Sequence, residues 1–375
     1  MYTFRHRALF ALFCFALPVA AVAQEPTRVG AFTIDGFLDG YYQFDANQPR
    51  QDNDLGNSGR LFDTQHNSFT LAAARLNLRK APTERDPVGL TVQWLWGANA
   101  DLLHTYDTGG VERYKNLQQV YGTYAGRNFT ADVGKFAAWI GYEALDSIAN
   151  ENYSRAFNFN LGQPNYTAGL RVSHPFSPQL TGTVYVANGY NETEDGNGRK
   201  TLGASAAFAP GSRLGLTLSW WGGPEGGETK NSVGGYGGVS FAAPGTLNVN
   251  TGNLIATYSP DSRTRFAFDG YYTDAADDRR EGGKWNGQAV YARRTLSPTT
   301  AAALRVERFE DADGLRTGDS RQLHSVTATY EYRLGQSLTN RVEFRQDFSS
   351  DVYFGGDDGP RKSRSTLTYG AVYRF

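Results

Sequence analysis

Apolar and polar positions alternate along much of this chain, and the C-terminal segment shows the pattern clearly. Bulky side chains occupy every second position from Leu367 to Phe375 except Ala371, and Thr366 and Thr368 lie on the other parity. Because successive side chains of a strand point to opposite faces, the segment predicts a strand with one apolar and one polar face. A half-buried strand of a soluble sheet would show the same pattern, so this segment alone leaves both kinds of protein open.

The same alternation recurs upstream, with charged residues on the polar face. In residues 338–348, for example, Arg341 and Glu343 alternate with Val342 and Phe344. Closed single-chain outer-membrane barrels have an even number of strands. Such patterns predict sixteen strands here, at residues 31–44, 67–80, 88–97, 116–125, 128–136, 165–174, 179–188, 200–208, 213–221, 249–258, 263–273, 285–295, 300–309, 321–333, 338–348 and 365–375.

Short and long links alternate between these segments. The short links carry Pro, Gly, Asp or Ser, as in 175–178 and 260–262, and the longer ones are polar. Periplasmic turns and extracellular loops alternate in this way when both termini are periplasmic. The glycine-rich residues 234–248 are either a loop or a further hairpin, which would raise the count to eighteen.

The first 23 residues have the features of a secretory signal. Arg5 and Arg7 precede an apolar run at 8–22, which ends in the small residues Ala21 and Ala23. The run is shorter than the roughly 20 residues of a spanning helix, which argues against the alternative of a membrane anchor. We expect cleavage after residue 23, a single barrel domain at 24–375, and no cysteine in the mature chain.

Composition agrees with an exported barrel. The chain has 23 Phe, 22 Tyr and 43 Gly, and its mean hydropathy is −0.50. So polar a chain spans a membrane only as a closed barrel, since half of each strand then faces water. We predict an all-β fold, a transmembrane antiparallel β-barrel in the bacterial outer membrane. Cleavage after residue 23 would remove two of the 37 basic residues and none of the 38 acidic ones, and the resulting net charge of −3 gives no case for nucleic-acid binding.

Several short motifs follow one another between residues 128 and 189. They are the run 129–136, Gly141-Tyr-Glu143, the run 150–155, Thr167-Ala-Gly-Leu-Arg171 and Val186-Ala-Asn-Gly189. In these motifs the chain resembles the OmpL-like outer-membrane β-barrel porin family. The resemblance implies an outer-membrane pore through which small hydrophilic solutes diffuse passively. We expect no cofactor, no bound metal and no catalytic residue.

The longest irregular link, residues 137–164, is the candidate constriction. It carries Glu143, Asp146, Glu151 and Arg155. In porins of this kind such a loop often folds into the lumen, where confined charges screen solutes by size and by charge. The alternative is a loop over the rim, with Arg155 paired to Glu151 or Glu143.

Charged residues on the polar faces are the candidate pore lining. A mixed wall suits a wide, weakly selective channel, although cross-strand ion pairing would produce the same pattern. We expect that neutralising Arg341 and Arg345 shifts the channel toward cations. The full wall set is Arg75, Arg79, Asp132, Arg171, Arg265, Asp269, Arg305, Glu307, Arg341, Glu343, Arg345 and Asp347.

Two other functions compete with a pore: a receptor or adhesin acting through the long loops, and a barrel hydrolase. A hydrolase needs an oriented base, and only His66, His104, His174 and His324 follow residue 23, without a companion serine motif. Expected partners are outer-membrane lipid, lipopolysaccharide and small hydrophilic solutes. The strand ending at Phe375 would engage the barrel-assembly machinery, and a homotrimer is a further expectation.

Overall fold

The computed structural model describes residues 26–49, 59–103, 111–225, 247–276 and 282–375. The predicted signal peptide, residues 1–23, lies outside them. The described residues contain two short α-helices, α1 (Ala98–Leu103) and α2 (Val111–Tyr114), a 3₁₀ helix at Ser147–Ala149 and a π-helix at Asn158–Gly162. No helix within these ranges is long and apolar enough to cross a membrane. The strands are β1 (Thr27–Val29), β2 (Phe32–Asp45), β3 (Ser68–Lys80), β4 (Val88–Trp96), β5 (Leu117–Ala125), β6 (Thr130–Ala137), β7 (Tyr166–Ser177), β8 (Leu180–Ala187), β9 (Thr201–Phe208), β10 (Leu214–Glu225), β11 (Leu247–Tyr258), β12 (Thr264–Ala276), β13 (Gly282–Ser297), β14 (Thr300–Asp311), β15 (Arg321–Leu334), β16 (Leu338–Ser349) and β17 (Ser363–Arg374).

Strands β2 to β17 form a closed antiparallel barrel of sixteen strands. Each strand pairs with the next along the chain, and β17 pairs with β2 to close the wall. The predicted count is confirmed. Strand β10 pairs directly with β11, from Leu214↔Tyr258 to Glu225↔Leu247, so no hairpin is inserted into the wall between them. Most of the stretch 234–248 lies outside the described residues.

Strand β1 is an addition that the sequence pattern does not predict. It pairs with the beginning of β2, from Thr27↔Ile34 to Val29↔Phe32. A strand of three residues is too short to display a period of two, which explains why the pattern misses it.

Alternation along each strand separates a lipid-facing outside from a polar inside. On β16, Arg341, Glu343 and Arg345 are at most 3% exposed, whereas Val342 and Phe344 are 42% and 50% exposed. This inverts the arrangement of a soluble domain and is the arrangement of an outer-membrane barrel.

The link between β12 and β13 is shorter than predicted. The sequence predicts a loop at 274–284, but β12 continues to Ala276 and β13 begins at Gly282. Asp274 pairs in register with Lys284. Polar residues continue this hairpin beyond the apolar band, so hydropathy alone ends both strands too early.

A hydrophobic cluster lies inside the barrel, at the ends of the strands that the long links join. It brings Phe157 and Phe354 against Trp285, Phe309 and Leu323 of β13, β14 and β15. Those wall residues share the inward parity of their strands, so the cluster fills part of the lumen where loops pack within it.

Candidate functional site: a loop across the lumen

Residues 138–165, between β6 and β7, cross the interior of the barrel; we call them the lumen loop. Ser147 donates a hydrogen bond to the Asp39 carboxylate of β2 at 2.6 Å. On the other side of the barrel, the Asn152 side chain donates to Thr329 Oγ1 of β15 at 2.7 Å, and Trp285 of β13 donates to a loop carbonyl. Contacts with inward-facing groups on strands so far apart put the loop in the lumen and not over the rim.

Carboxylates of the wall accept hydrogen bonds from the loop backbone. Glu343 accepts from the amides of Tyr153 and Ser154 at 2.6 and 3.0 Å. Glu307 accepts from the Phe157 amide at 2.5 Å. An irregular segment enclosed in a barrel has no strand partner, so these side chains satisfy backbone groups that would otherwise be costly to bury.

Arginines of the wall bind the loop carbonyls. Arg341 donates to the carbonyl oxygens of Ser147 and Asn150 at 2.6 and 2.9 Å. Arg305 and Arg345 donate to the Ser154 and Arg155 carbonyls, at 2.6 and 2.7 Å. Wall carboxylates therefore bind backbone amides of the loop, and wall arginines bind its backbone carbonyls.

The anchoring side chains also form one buried ion network. Glu307 lies 3.2 Å from Arg305 and 3.3 Å from Arg345. Arg345 also contacts Asp347 at 2.7 Å, and Asp347 contacts Arg60 of the β2–β3 link at 2.6 Å. Removing one member would leave a partner charge buried without compensation, which is strongly destabilising.

This geometry differs from the expected pore lining at seven positions. Because the lumen loop and the β2–β3 link cover the wall there, the seven side chains contact protein and are at most 3% exposed. They are Asp269, Arg305, Glu307, Arg341, Glu343, Arg345 and Asp347.

Two wall glycines give the loop room, and sequence reasoning missed them. A Cβ on Gly370 would lie 2.4 Å from the Tyr153 ring, and a Cβ on Gly287 would lie 2.1 Å from the Asn158 side-chain oxygen. Both glycines occupy inward positions of long strands, β17 and β13. A glycine at an inward position of a strand is visible in the sequence and could have indicated this contact. Gly weakens a strand and often marks a place where another group approaches closely.

The charged residues of the loop point back to the wall. Asp146 pairs with Arg75 at 2.9 Å, and Glu151 lies 3.5 Å from Arg265 and 3.6 Å from Arg293. Burial raises the pKa of the Asp146 carboxyl, and the neighbouring Arg75 guanidinium opposes that rise.

Arg155 forms neither of the carboxylate pairs that the alternative of a loop over the rim would give it. Its guanidinium donates to the Leu145 and Tyr153 carbonyls and lies 4.9 Å over the Phe62 ring. It thus folds the loop on itself, and Glu143 instead contacts Arg305 at 2.8 Å.

Two wall pairs lie away from the buried network. Arg171 on β7 contacts Asp132 on β6 at 2.6 Å, and Arg79 on β3 contacts Asp35 on β2 at 2.5 Å. Their side chains are between 13% and 42% exposed, so these pairs are accessible to water.

Beneath the loop, at the end of the barrel with the short turns, lies a cavity of about 600 Å³. We call it the periplasmic cavity. Its roof is formed by residues 148–151 of the lumen loop, and its sides by the turns before β10 and β12 and by strands β12, β13 and β15 to β17. Its arginines are Arg213, Arg263, Arg265, Arg293, Arg333, Arg341 and Arg374.

The described histidines lie apart from one another. His324 is exposed on the outward face of β15, and His66 Nδ1 accepts the Asp45 amide. His174 Nδ1 lies 2.7 Å from the Asn128 carbonyl oxygen at a periplasmic turn. His104 lies outside the described residues. Within the described ranges, no group of three or more His, Cys, Asp or Glu could hold a metal.

A family model described as "Putative beta-barrel porin-2, OmpL-like" matches residues 31–375. The chain belongs to this family. The match covers the whole barrel and confirms the resemblance found at residues 128–188. No curated protein sequence matches the chain.

Solved structures with the same fold are outer-membrane channels and porins. An anion-selective porin from Comamonas acidovorans matches at 12% identity with a TM-score of 0.60, covering 92% of this chain and 99% of that one. The channel DcaP of Acinetobacter baumannii matches at 13% identity and a TM-score of 0.63, over 94% and 100%. OprB of Pseudomonas putida matches at 11% identity and a TM-score of 0.57, over 92% and 94%.

Family and fold together identify a porin-like channel of the bacterial outer membrane. The short turns are therefore periplasmic and the long loops extracellular, as the alternation of link lengths predicts.

Proposed function

We propose that this porin lets small hydrophilic solutes diffuse passively across the outer membrane and that the lumen loop sets the size of its passage. The observation that carries the proposal is the anchoring of the loop to β2 and to β12–β16 by wall side chains. Sixteen strands enclose a lumen wide enough for water, so a loop fixed across it narrows the passage without filling it.

The proposed path runs beside the loop and not through its anchors. Arg79, Asp132 and Arg171 on the β3–β7 side remain partly exposed, as does Arg265 in the periplasmic cavity. We assign these residues and Asp146 to the lining, and the seven buried wall residues to holding the constriction.

The proposed transport involves no enzymatic step. The described histidines lie on the outer face of β15, in the β2–β3 link and at a turn, in three separate parts of the barrel. A solute would move down its own gradient.

Assembly and partners are also proposals. The outward residues of β17 and Phe375 fit recognition by the barrel-assembly machinery, and the exposed apolar belt fits lipid and the lipid part of lipopolysaccharide. A homotrimer has support from one neighbour, OmpT of Vibrio cholerae, whose structure is described as a trimer form and matches at 10% identity with a TM-score of 0.52. Mass measurement of the folded protein in detergent tests this.

Liposome swelling tests the transport function. Liposomes that contain the folded porin should swell in neutral solutes at a rate that falls steadily with solute size and does not saturate with concentration. Swelling no faster than in empty liposomes, from protein shown to be folded and inserted, would contradict passive diffusion.

A further inference from the structure

The periplasmic cavity concentrates positive charge. Three of its arginines share one carboxylate: Glu331 contacts Arg293 at 2.7 Å, Arg341 at 2.9 Å and Arg333 at 3.1 Å. One carboxylate cannot balance three guanidinium groups, so this side of the cavity retains net positive charge.

Four more arginines complete the lining: Arg213, Arg263, Arg265 and Arg374. The Arg265 side chain is 58% exposed and lies 3.5 Å from Glu151. With Glu151, Glu331 and Asp261 as its carboxylates, the lining has seven arginines against three acids, an excess of four positive charges among the described lining residues.

This charge is confined to the inside of the wall. Each of the cavity's strand arginines lies on the inward parity of its strand, whereas the outward neighbours Phe266 and Val342 are apolar and exposed. A concave surface with a single dominant charge and low-dielectric walls raises the local concentration of oppositely charged solutes.

We propose that the periplasmic cavity binds small oxyanions that carry two or more negative charges, as carboxylates or phosphates, and makes the channel prefer anions. The proposal rests on the porin function and names its solute class. Arginine suits such ligands because its planar fork donates two parallel hydrogen bonds to a carboxylate or phosphate. Arg265 and Arg333, the latter 46% exposed, are the side chains best placed to donate.

Reversal potential under a potassium chloride gradient is the first test. The wild-type porin should prefer chloride, and the double variant Arg265→Gln, Arg333→Gln should lower the anion-to-cation permeability ratio by about twofold or more. Arg294→Gln is the matched control, since Arg294 follows Arg293 on β13 but faces outward and is 60% exposed. A cation-preferring wild type, or equal ratios in the double variant and the control, would overturn the proposal.

Equilibrium binding of pyrophosphate to the folded porin in detergent is the second test, and it needs no open pore. Wild type and Arg294→Gln should bind pyrophosphate, and the double variant should bind at least several-fold more weakly. Binding without conductance would refute the pore and leave the anion site standing. Conductance without binding, or undiminished binding by the double variant, would refute the anion site and leave the pore.

Discussion

At the scale of single residues, an inward position does not by itself define a role. Alternation predicts that Arg265 and Arg345 both face inward, and both do. Arg345 is nevertheless fully buried under the lumen loop, whereas most of the Arg265 side chain is exposed. The difference depends on where a loop distant in sequence packs, and no periodicity contains that information.

Replacing Glu343 should weaken the attachment of the lumen loop to the wall. Glu343→Gln removes the charge that accepts two loop amides, and we expect it to lower the free energy of unfolding by about 1–3 kcal/mol. Urea titration of the folded porin in lipid measures this. Glu310→Gln makes the same change on the outward face of β14 and should have a smaller effect; an equal loss in both would argue against anchoring.

Gly370 offers a test based on space. In Gly370→Ala the new methyl group would meet the Tyr153 ring at 2.4 Å. We expect a loss of about 1–3 kcal/mol in stability together with an altered single-channel conductance. A methyl group on Gly252 of β11 meets nothing within 4 Å, so Gly252→Ala should leave the conductance at the wild-type value. Wild-type conductance in Gly370→Ala would mean that the position of the Tyr153 ring does not affect the width of the passage.

The neutralisation of Arg341 and Arg345 now has a different expected result from the one the sequence suggests. Both bind loop carbonyls, and Arg345 also belongs to the buried ion network. Replacing them should release the loop, so a change in conductance and lower stability should accompany any change in ion preference. A clean shift toward cations with unchanged conductance and stability would show instead that they line the passage.

At the scale of the elements, the strands could be predicted from sequence and the loop contacts could not. All sixteen predicted strands are present, because a strand with one lipid face and one water face displays its period of two directly. The pattern does not predict the ends of β12 and β13 that face each other, or the three-residue β1, because none of these stretches has a two-faced pattern long enough to detect. The lumen position of residues 138–165 depends on hydrogen bonds to side chains more than 100 positions away, such as that from Ser147 to Asp39.

A disulfide across the lumen tests whether the loop moves during transport. Asn152 and Thr329 are in direct side-chain contact, and the predicted cleavage removes Cys14, the only cysteine. In the double variant Asn152→Cys, Thr329→Cys, we expect equal conductance in the oxidised and reduced forms, because the loop already rests against β15. A conductance that changes reversibly with dithiothreitol would show that the loop is a moving gate.

At the scale of the whole molecule, the barrel combines a lipid-facing wall, a loop that narrows the lumen and a basic periplasmic cavity. The cluster of Phe157 and Trp285 and the Arg60–Asp347 pair lie toward the extracellular end of the lumen, whereas the periplasmic cavity is lined by exposed arginines such as Arg265 and Arg333. The exposed arginines Arg265 and Arg333 of the cavity are not among the buried wall residues that hold the loop, so substitutions there should change ion preference more than the size limit.

Single-channel recording of the wild-type porin in a planar bilayer is the most direct test of the central claim that a fixed loop narrows an open pore. In roughly molar potassium chloride we expect steady, uniform steps, because strong salt screens the cavity charge and leaves the loop-defined width as the main resistance. No steps from protein shown to be folded and inserted would contradict the account, since the lumen loop would then close the barrel and not merely narrow it.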